Sequence, residues 1–282
     1  MAIPGILLVL AAVAGGFAMA GGSFPVLIQP SEFIVILGAA AGAFLTSAPG
    51  KMKKRVMAVL KLAIKENIPS TSDYLDLLKC QYELFMLARR QGVLALEAHV
   101  NEPAKSDIFK KYPSIDKQHH ARTFLAESLQ QIVNGITPDD LEQLLDAELD
   151  TIKTEGHLAT GLVKVIGDSL PGIGIVAAVL GIIVTMNHMD APPAVIGHHV
   201  AAALVGTFLG ILVCYGILQP LANNAENQEV HQLRYLLVIK NAVIASARGV
   251  APPTAVEFGR KMIFTDERPS FAELDKALQS IQ

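Results

Sequence analysis

The residues able to do chemistry are few. Two adjacent histidine pairs occur, His119-His120 and His198-His199. Neighbours on a helix point about 100° apart and rarely share a metal, so both pairs read as structural or surface residues and no metal site is assigned. Cys80 lies in a charged segment and Cys214 in an apolar run. Both read as buried small side chains rather than a redox pair. Thr207 is a hydroxyl in an apolar run, a poor nucleophile without a base. No His-Glu-x-x-His, Gly-x-Ser-x-Gly or paired acid inside an apolar stretch appears, which leaves an intramembrane enzyme without its machinery. No catalytic residue or cofactor is assigned.

Charge placement says more. The chain has 282 residues, 51% hydrophobic and 17% charged, an oily composition for a chain of this length. All 23 Lys and Arg fall in two blocks, Lys51 to Lys164 and Arg234 to Lys276. The long apolar runs lie in the two bare stretches. A net charge of −3 and no basic stripe interleaved with aromatics argue against nucleic acid.

A membrane-crossing helix needs about 20 apolar residues, with a lower limit near 17. Residues 2–20, 169–185 and 198–219 qualify; 33–48 is uncharged but short, and as a span it depends on bilayer thinning or a close neighbour. The apolar N-terminal run lacks the basic region of a secretory signal and reads as a retained membrane helix. Lys51, Lys53, Lys54 and Arg55 follow the second span directly, which puts that end on the cytoplasmic side. Loops 21–32 and 187–197 carry no Lys or Arg and are outside. The fold class is therefore all-α: an integral membrane protein with four transmembrane helices, a helical cytoplasmic domain and both termini cytoplasmic. The segments are 1–50 (spans one and two), 51–167 (cytoplasmic), 168–220 (spans three and four) and 221–282 (cytoplasmic C-terminal helices).

Helix signals fill the polar segments. Leu75, Leu78, Tyr82 and Phe85 recur at helical spacing after Ser70-Thr71-Ser72. Thr137-Pro138-Asp139-Asp140 combines a cap, a proline at the first helical position and acids against the dipole. A helix over 221–248 ends at Gly249 and Pro252-Pro253, and Ser270-Phe271-Ala272-Glu273 is a capping box.

The middles of all four spans lack ionisable residues: Asp168 sits at the inner lip of span three and His198-His199 at the outer end of span four. A membrane protein that moves ions normally needs such a group, so either this one moves none or a partner helix supplies it. Gly38-x3-Gly42 and Gly206-x3-Gly210 are small-x3-small motifs. They read first as tight packing within one subunit and second as subunit association.

The run from Ala203 through Leu212, with Pro220 beyond it, resembles the signature shared by MotA and ExbB proteins. The run from Gly167-Asp168-Ser169-Leu170-Pro171 to Ala178, the Arg89-Arg90-Gln91-Gly92 segment followed by Leu96-Glu97, and the two-loop-two layout are similar to the MotA family in particular. The resemblance covers essentially the whole chain. It implies a flagellar motor stator subunit of the bacterial inner membrane that forms an ion channel with a MotB-type partner. The family ring is a pentamer around a pair of B subunits, each supplying an intramembrane Asp, and ion flow turns it against the rotor protein FliG. The alternative is an ExbB/TolQ-like energiser of an envelope transport system. Such proteins have fewer spans and no matching Arg…Glu segment.

Residue by residue, the resemblance implies that Thr207 faces the ion path. A hydroxyl passes hydrogen bonds where hydrocarbon cannot, although it can also bond its own helix. Pro171 and Pro220 match family prolines at the inner ends of spans three and four. They either let the ring change shape or simply mark bends. Ala178 stands where sodium-using relatives carry Thr, so no oxygen is offered to a hard cation and protons are the expected ion. Arg89, Arg90 and Glu97 match the FliG-facing patch. Arg90 and Glu97 are seven apart, hence on one helix face, and the trio otherwise reads as a solvated surface. Glu148 matches an acidic position near the cytoplasmic gate, with Asp168 beside the same gate, although Asp146 and Asp150 compete with Glu148 for the match.

Overall fold

The computed structural model describes residues 2–65 and 68–281; Met1 and Gln282, which bound the first and last sequence segments, lie outside the described residues. Among the described residues there are helices and turns but no strand. The chain opens with α1 (Ala2–Met19), a single turn α2 (Phe24–Leu27), α3 (Pro30–Ser47) and α4 (Gly50–Ile64). Next comes α5 (Thr71–Gln91), a 3-10 turn over Val93–Leu96, then three short helices, α6 (Glu97–Val100), α7 (Asp107–Lys110) and α8 (Pro113–Lys117). α9 (His119–Val133) precedes the longest helix, α10 (Pro138–Met186). α11 (Pro193–Val213) passes through a π-helical segment, Cys214–Leu218, into α12 (Gln219–Ala247), followed by α13 (Pro252–Lys261) and α14 (Phe271–Gln279). Among the described residues, four helical runs are long and apolar enough to cross a membrane: Ala2–Met19, Phe24–Ser47, Pro138–Met186 and Pro193–Ala247.

The helix ends obey the local chemistry of the sequence. Ser70 caps α5, accepting from the Asp73 amide at 3.3 Å while the Asp73 carboxylate accepts from the Ser70 amide at 2.7 Å. Ser270 and Glu273 repeat this reciprocal pair at α14. Thr137 accepts from the Asp140 amide at 3.2 Å at the head of α10. Gly249, at φ +80°, stops α12: its N–H bonds the Ser246 carbonyl at 2.9 Å and the Val250 N–H bonds Ala245 at 3.1 Å. That two-bond C-cap needs the left-handed backbone glycine adopts freely.

Two of the apolar helices start earlier than their hydropathy suggests. α3 begins at Pro30, not residue 33, and α11 at Pro193, not residue 198. In both cases proline takes a first-turn position, where its missing N–H costs nothing and its fixed φ favours the helix. Glu32 is thereby inside α3, and His198-His199 are inside α11 instead of at its edge.

The chain divides into two compact units that group residues by packing, whereas the sequence segments group them by expected side of the membrane. The first comprises Met1–Asn67 and Glu155–Gln228. Within it α4 is two-faced. Val56, Val59 and Ala63 are buried with Ala159, Val163, Ala222 and Ala225, while Lys51, Lys54, Arg55 and Lys61 are exposed. Asn224 ties down the end of α4 by donating to the Ala63 carbonyl at 2.7 Å. Arg55 pairs with Glu155, and Lys164 donates to Glu226 at 2.6 Å.

The second unit, Ile68–Thr154 and Glu229–Gln282, is built around large side chains. Tyr74, Tyr82, Phe85, Phe109, Phe124 and Tyr235 are all buried in one cluster. Gln81, fully buried, donates to the Ile239 carbonyl at 3.1 Å, and Lys240 donates to Asp146 at 2.6 Å. Both cysteines are free and buried.

Candidate ion path and charged surface

In the first unit the residues marked out by sequence meet along the seam between α10 and α11. Glycines set its closeness. A Cβ on Gly174 would stand 2.7 Å from the Gly206 carbonyl oxygen, and one on Gly210 would stand 2.6 Å from that of Leu170. A Cβ on Gly181 would meet the Ala203 methyl at 2.6 Å. The two backbones touch, the arrangement small residues permit between membrane helices. Gly206-x3-Gly210 therefore packs within the subunit. Gly38 and Gly42 do not: both are exposed, with open space where their Cβ atoms would be.

Thr207 and Ala178 lie on this seam. The Thr207 hydroxyl donates across it to the Gly174 carbonyl at 3.4 Å, a long bond, instead of back to its own helix. The Ala178 nitrogen lies 3.4 Å from where a Cβ on Gly206 would be. Both side chains are half-buried. Toward the seam's other end, Gln219 donates to the exposed Asp168 carboxylate at 2.6 Å, beside Pro171 and Pro220. Pro171 is inside α10 without ending it. Pro220 follows the π-helical segment, where the Gln219 N–H bonds the Cys214 carbonyl five residues back. A proline just beyond such a bulge has no N–H to restore regular pairing.

The same seam holds a residue that hydropathy reading passed over. Glu32 is 7% exposed, and its Oε2 has no hydrogen-bond partner. A Cβ on Gly206 would collide with that oxygen and sit 3.0 Å from the Ala177 methyl. Ala177 lies about 14 Å of helix before the end of α10, and Gly206 about 20 Å after the start of α11, at 1.5 Å per residue. The sequence places no ionisable group at mid-depth. The structure corrects this, because α3 starts below the outer ends of α10 and α11 and carries its first-turn carboxyl to the level of their middles. The signal available was Glu32 opening an apolar run two residues after Pro30.

In the second unit Arg89, Arg90 and Glu97 are exposed, and among the described residues none is held in an ion pair. Arg90 and Glu97 do not share one helix face. Gly92, at φ +87°, ends α5, and the 3-10 turn that follows re-aims the chain before Glu97. The exposed Val93 and Leu94 lie between the charges.

Glu148 stands apart from its acidic neighbours. Asp146 is taken by Lys240 and Asp150 is exposed. Glu148 is half-buried; that burial first, and the charge of Glu127 second, push its carboxyl above the usual range. In the first unit His199 stacks on His188 at 4.8 Å. Among the described residues no cluster of metal-ligating side chains forms.

Family comparison decides the setting of these residues. A model of the motility protein A N-terminal region matches residues 3–92, and a model of the MotA/TolQ/ExbB proton channel family matches residues 116–236. Motility protein A of Salmonella typhimurium is 37% identical over 279 residues, covering 99% of this chain and 95% of that protein. The chain belongs to the motility protein A family. It is a membrane protein of a channel family, not an enzyme, and the motility-specific N-terminal match separates it from the ExbB/TolQ-like alternative. The flagellar MotAB stator complex of Bacillus subtilis has a chain 25% identical, with a TM-score of 0.78 over 98% of this chain and 99% of that one. MotAB of C. jejuni shares the fold at a TM-score of 0.80, covering 96% and 98% of the two chains.

Proposed function

We propose that this chain is the A-type subunit of a flagellar stator: with a B-type partner it forms a proton channel and turns ion flow into rotation. The observation that carries the reading is the α10–α11 seam, where Ala178, Thr207 and the backbone of Gly206 converge in an apolar wall. The subunits ring a pair of MotB-type chains in the inner membrane, as a pentamer in this reading, and each MotB-type chain contributes an intramembrane Asp. Both termini face the cytoplasm, in keeping with the basic residues after α3. Ala178 leaves the path without an extra oxygen ligand, which suits protons better than sodium. Pro171 and Pro220 are the flexible points at its inner end, and Asp168 and Glu148 are its acidic gate residues. Exposed and unpaired, Arg89, Arg90 and Glu97 are available to the rotor protein FliG.

The test is swimming in a strain deleted for this gene, with flagella counted by electron microscopy. The reading requires normal flagella that do not turn, motion restored by the wild-type gene, and no restoration by Arg89→Glu with Arg90→Glu. A deletion strain that swims normally with no second stator set rejects it.

A further inference from the structure

The carboxyl of Glu32 is the one ionisable side chain among the described residues of the first unit that is both buried and without a partner at the middle of the apolar seam. Burying a carboxyl without hydrogen-bonding it is costly, and ionisable groups inside membrane segments are rare except where they serve ion movement. The surrounding wall offers it no charged partner. The facing segments are 169–186 of α10 and 200–213 of α11, and α3 itself continues over 33–47; none contains Asp, Glu, Lys, Arg or His. Gly206 is what makes room, because any side chain there would collide with Oε2. The notch is thus formed by a glycine on one helix and filled by a carboxyl from another, one residue from Thr207.

We infer that Glu32 is an ion-carrying residue of this subunit, taking up the transported proton at the Gly206 notch and passing it inward. The inference rests on the stator reading and adds a second carboxyl to a path in which the partner chain supplies the other. The step balances without redox chemistry. A hydronium arriving from the outer side gives a proton to Oε2, forming O–H and leaving water. That O–H then breaks as the proton moves to the partner's carboxylate, which forms the new O–H and returns Glu32 to its charged form.

The experiment uses a host without stators of its own, expressing this chain together with its B-type partner. Wild type, Glu32→Gln, Glu32→Ala and Glu32→Asp are compared. Three quantities are measured: rotation of tethered cells, cytoplasmic pH change on opening the channel, and co-purification of the partner from membranes. Gln fills the same space but cannot take up and release a proton. The inference requires that Gln and Ala abolish rotation and proton entry at wild-type protein level with the partner still bound, and that Asp restores part of both. Glu32→Gln rotating like wild type overturns it and leaves the stator reading intact. Glu32→Gln that loses the partner or its place in the membrane also overturns it, assigning Glu32 to packing. Wild type that fails to rotate overturns the stator reading and this inference together.

Discussion

The α10–α11 seam and the core of the second unit are both helix packings, and they are built from opposite residue types. The seam closes on Gly174, Gly181, Gly206 and Gly210, with backbone against backbone. The core closes on the large side chains of Tyr74, Phe85, Phe124 and Tyr235, with the Tyr74 and Tyr235 rings 5.3 Å apart. Water explains the difference. Where water surrounds the unfolded chain, burying a large apolar side chain is the main favourable term. In lipid that term vanishes, and close backbone approach with many small contacts takes its place. The two regions should therefore fail in opposite ways, one when atoms are removed and the other when they are added.

Removing atoms from the core is expected to do the most damage. Phe124 is 1% exposed in the centre of the cluster, and truncating a buried Phe to Ala costs about 3–5 kcal/mol. Phe124→Ala should lower the melting temperature of the detergent-solubilised chain and speed amide exchange in α5 and α9, leaving exchange in α11 unchanged. Faster exchange in α11 as well would show that the two regions do not fail separately.

Adding one methyl to the seam comes next. In Gly174→Ala the new Cβ meets the Gly206 carbonyl and, at 3.2 Å, the Thr207 Cα, both backbone atoms that cannot swing aside. Overpacking of this kind costs about 1–3 kcal/mol. Because it pries apart the helices that hold Thr207 and Ala178, motility should be lost even where the protein still accumulates. Gly38→Ala is the matched control: nothing lies within 4 Å of its Cβ, so within this chain it should be tolerated. Equal motility for the two variants would break the comparison.

The same contrast explains what could be read from sequence. Elements with local causes were legible: the caps at Ser70, Thr137 and Ser270, the stop at Gly249, and four apolar stretches of spanning length. The family runs single out Thr207, Ala178 and Pro171 by resemblance alone. Features that depend on how helices stagger were not legible. Hydropathy assigned Glu32 to an outer loop, because an averaging window cannot see that α3 begins lower than its neighbours. The Arg90 and Glu97 spacing suggested one helix face, because seven residues is two turns only where the helix continues, and Gly92 interrupts it. Gly38-x3-Gly42 and Gly206-x3-Gly210 are identical as patterns, yet one is exposed and the other buried. Spacing says that backbones can meet and leaves open which ones do.

Charge gives the smallest expected effect and sharpens the comparison from the polar side. Glu148 is pushed above its ordinary value of 4.5 by burial and by Glu127. The folded chain therefore holds this proton more tightly than the unfolded chain does. Its stabilising contribution is fully present below about 4.5 and is lost as pH rises through the higher folded value. Glu148→Gln removes the ionisation, so at neutral pH the variant should melt slightly higher than wild type, by a few degrees at most. The gap should close as pH falls toward 4, where both side chains are neutral. Glu127→Gln should give a smaller rise of the same sign, since it removes only the second cause. A variant that instead melts lower at neutral pH would mean that the Glu148 carboxylate is charged and held by a cation.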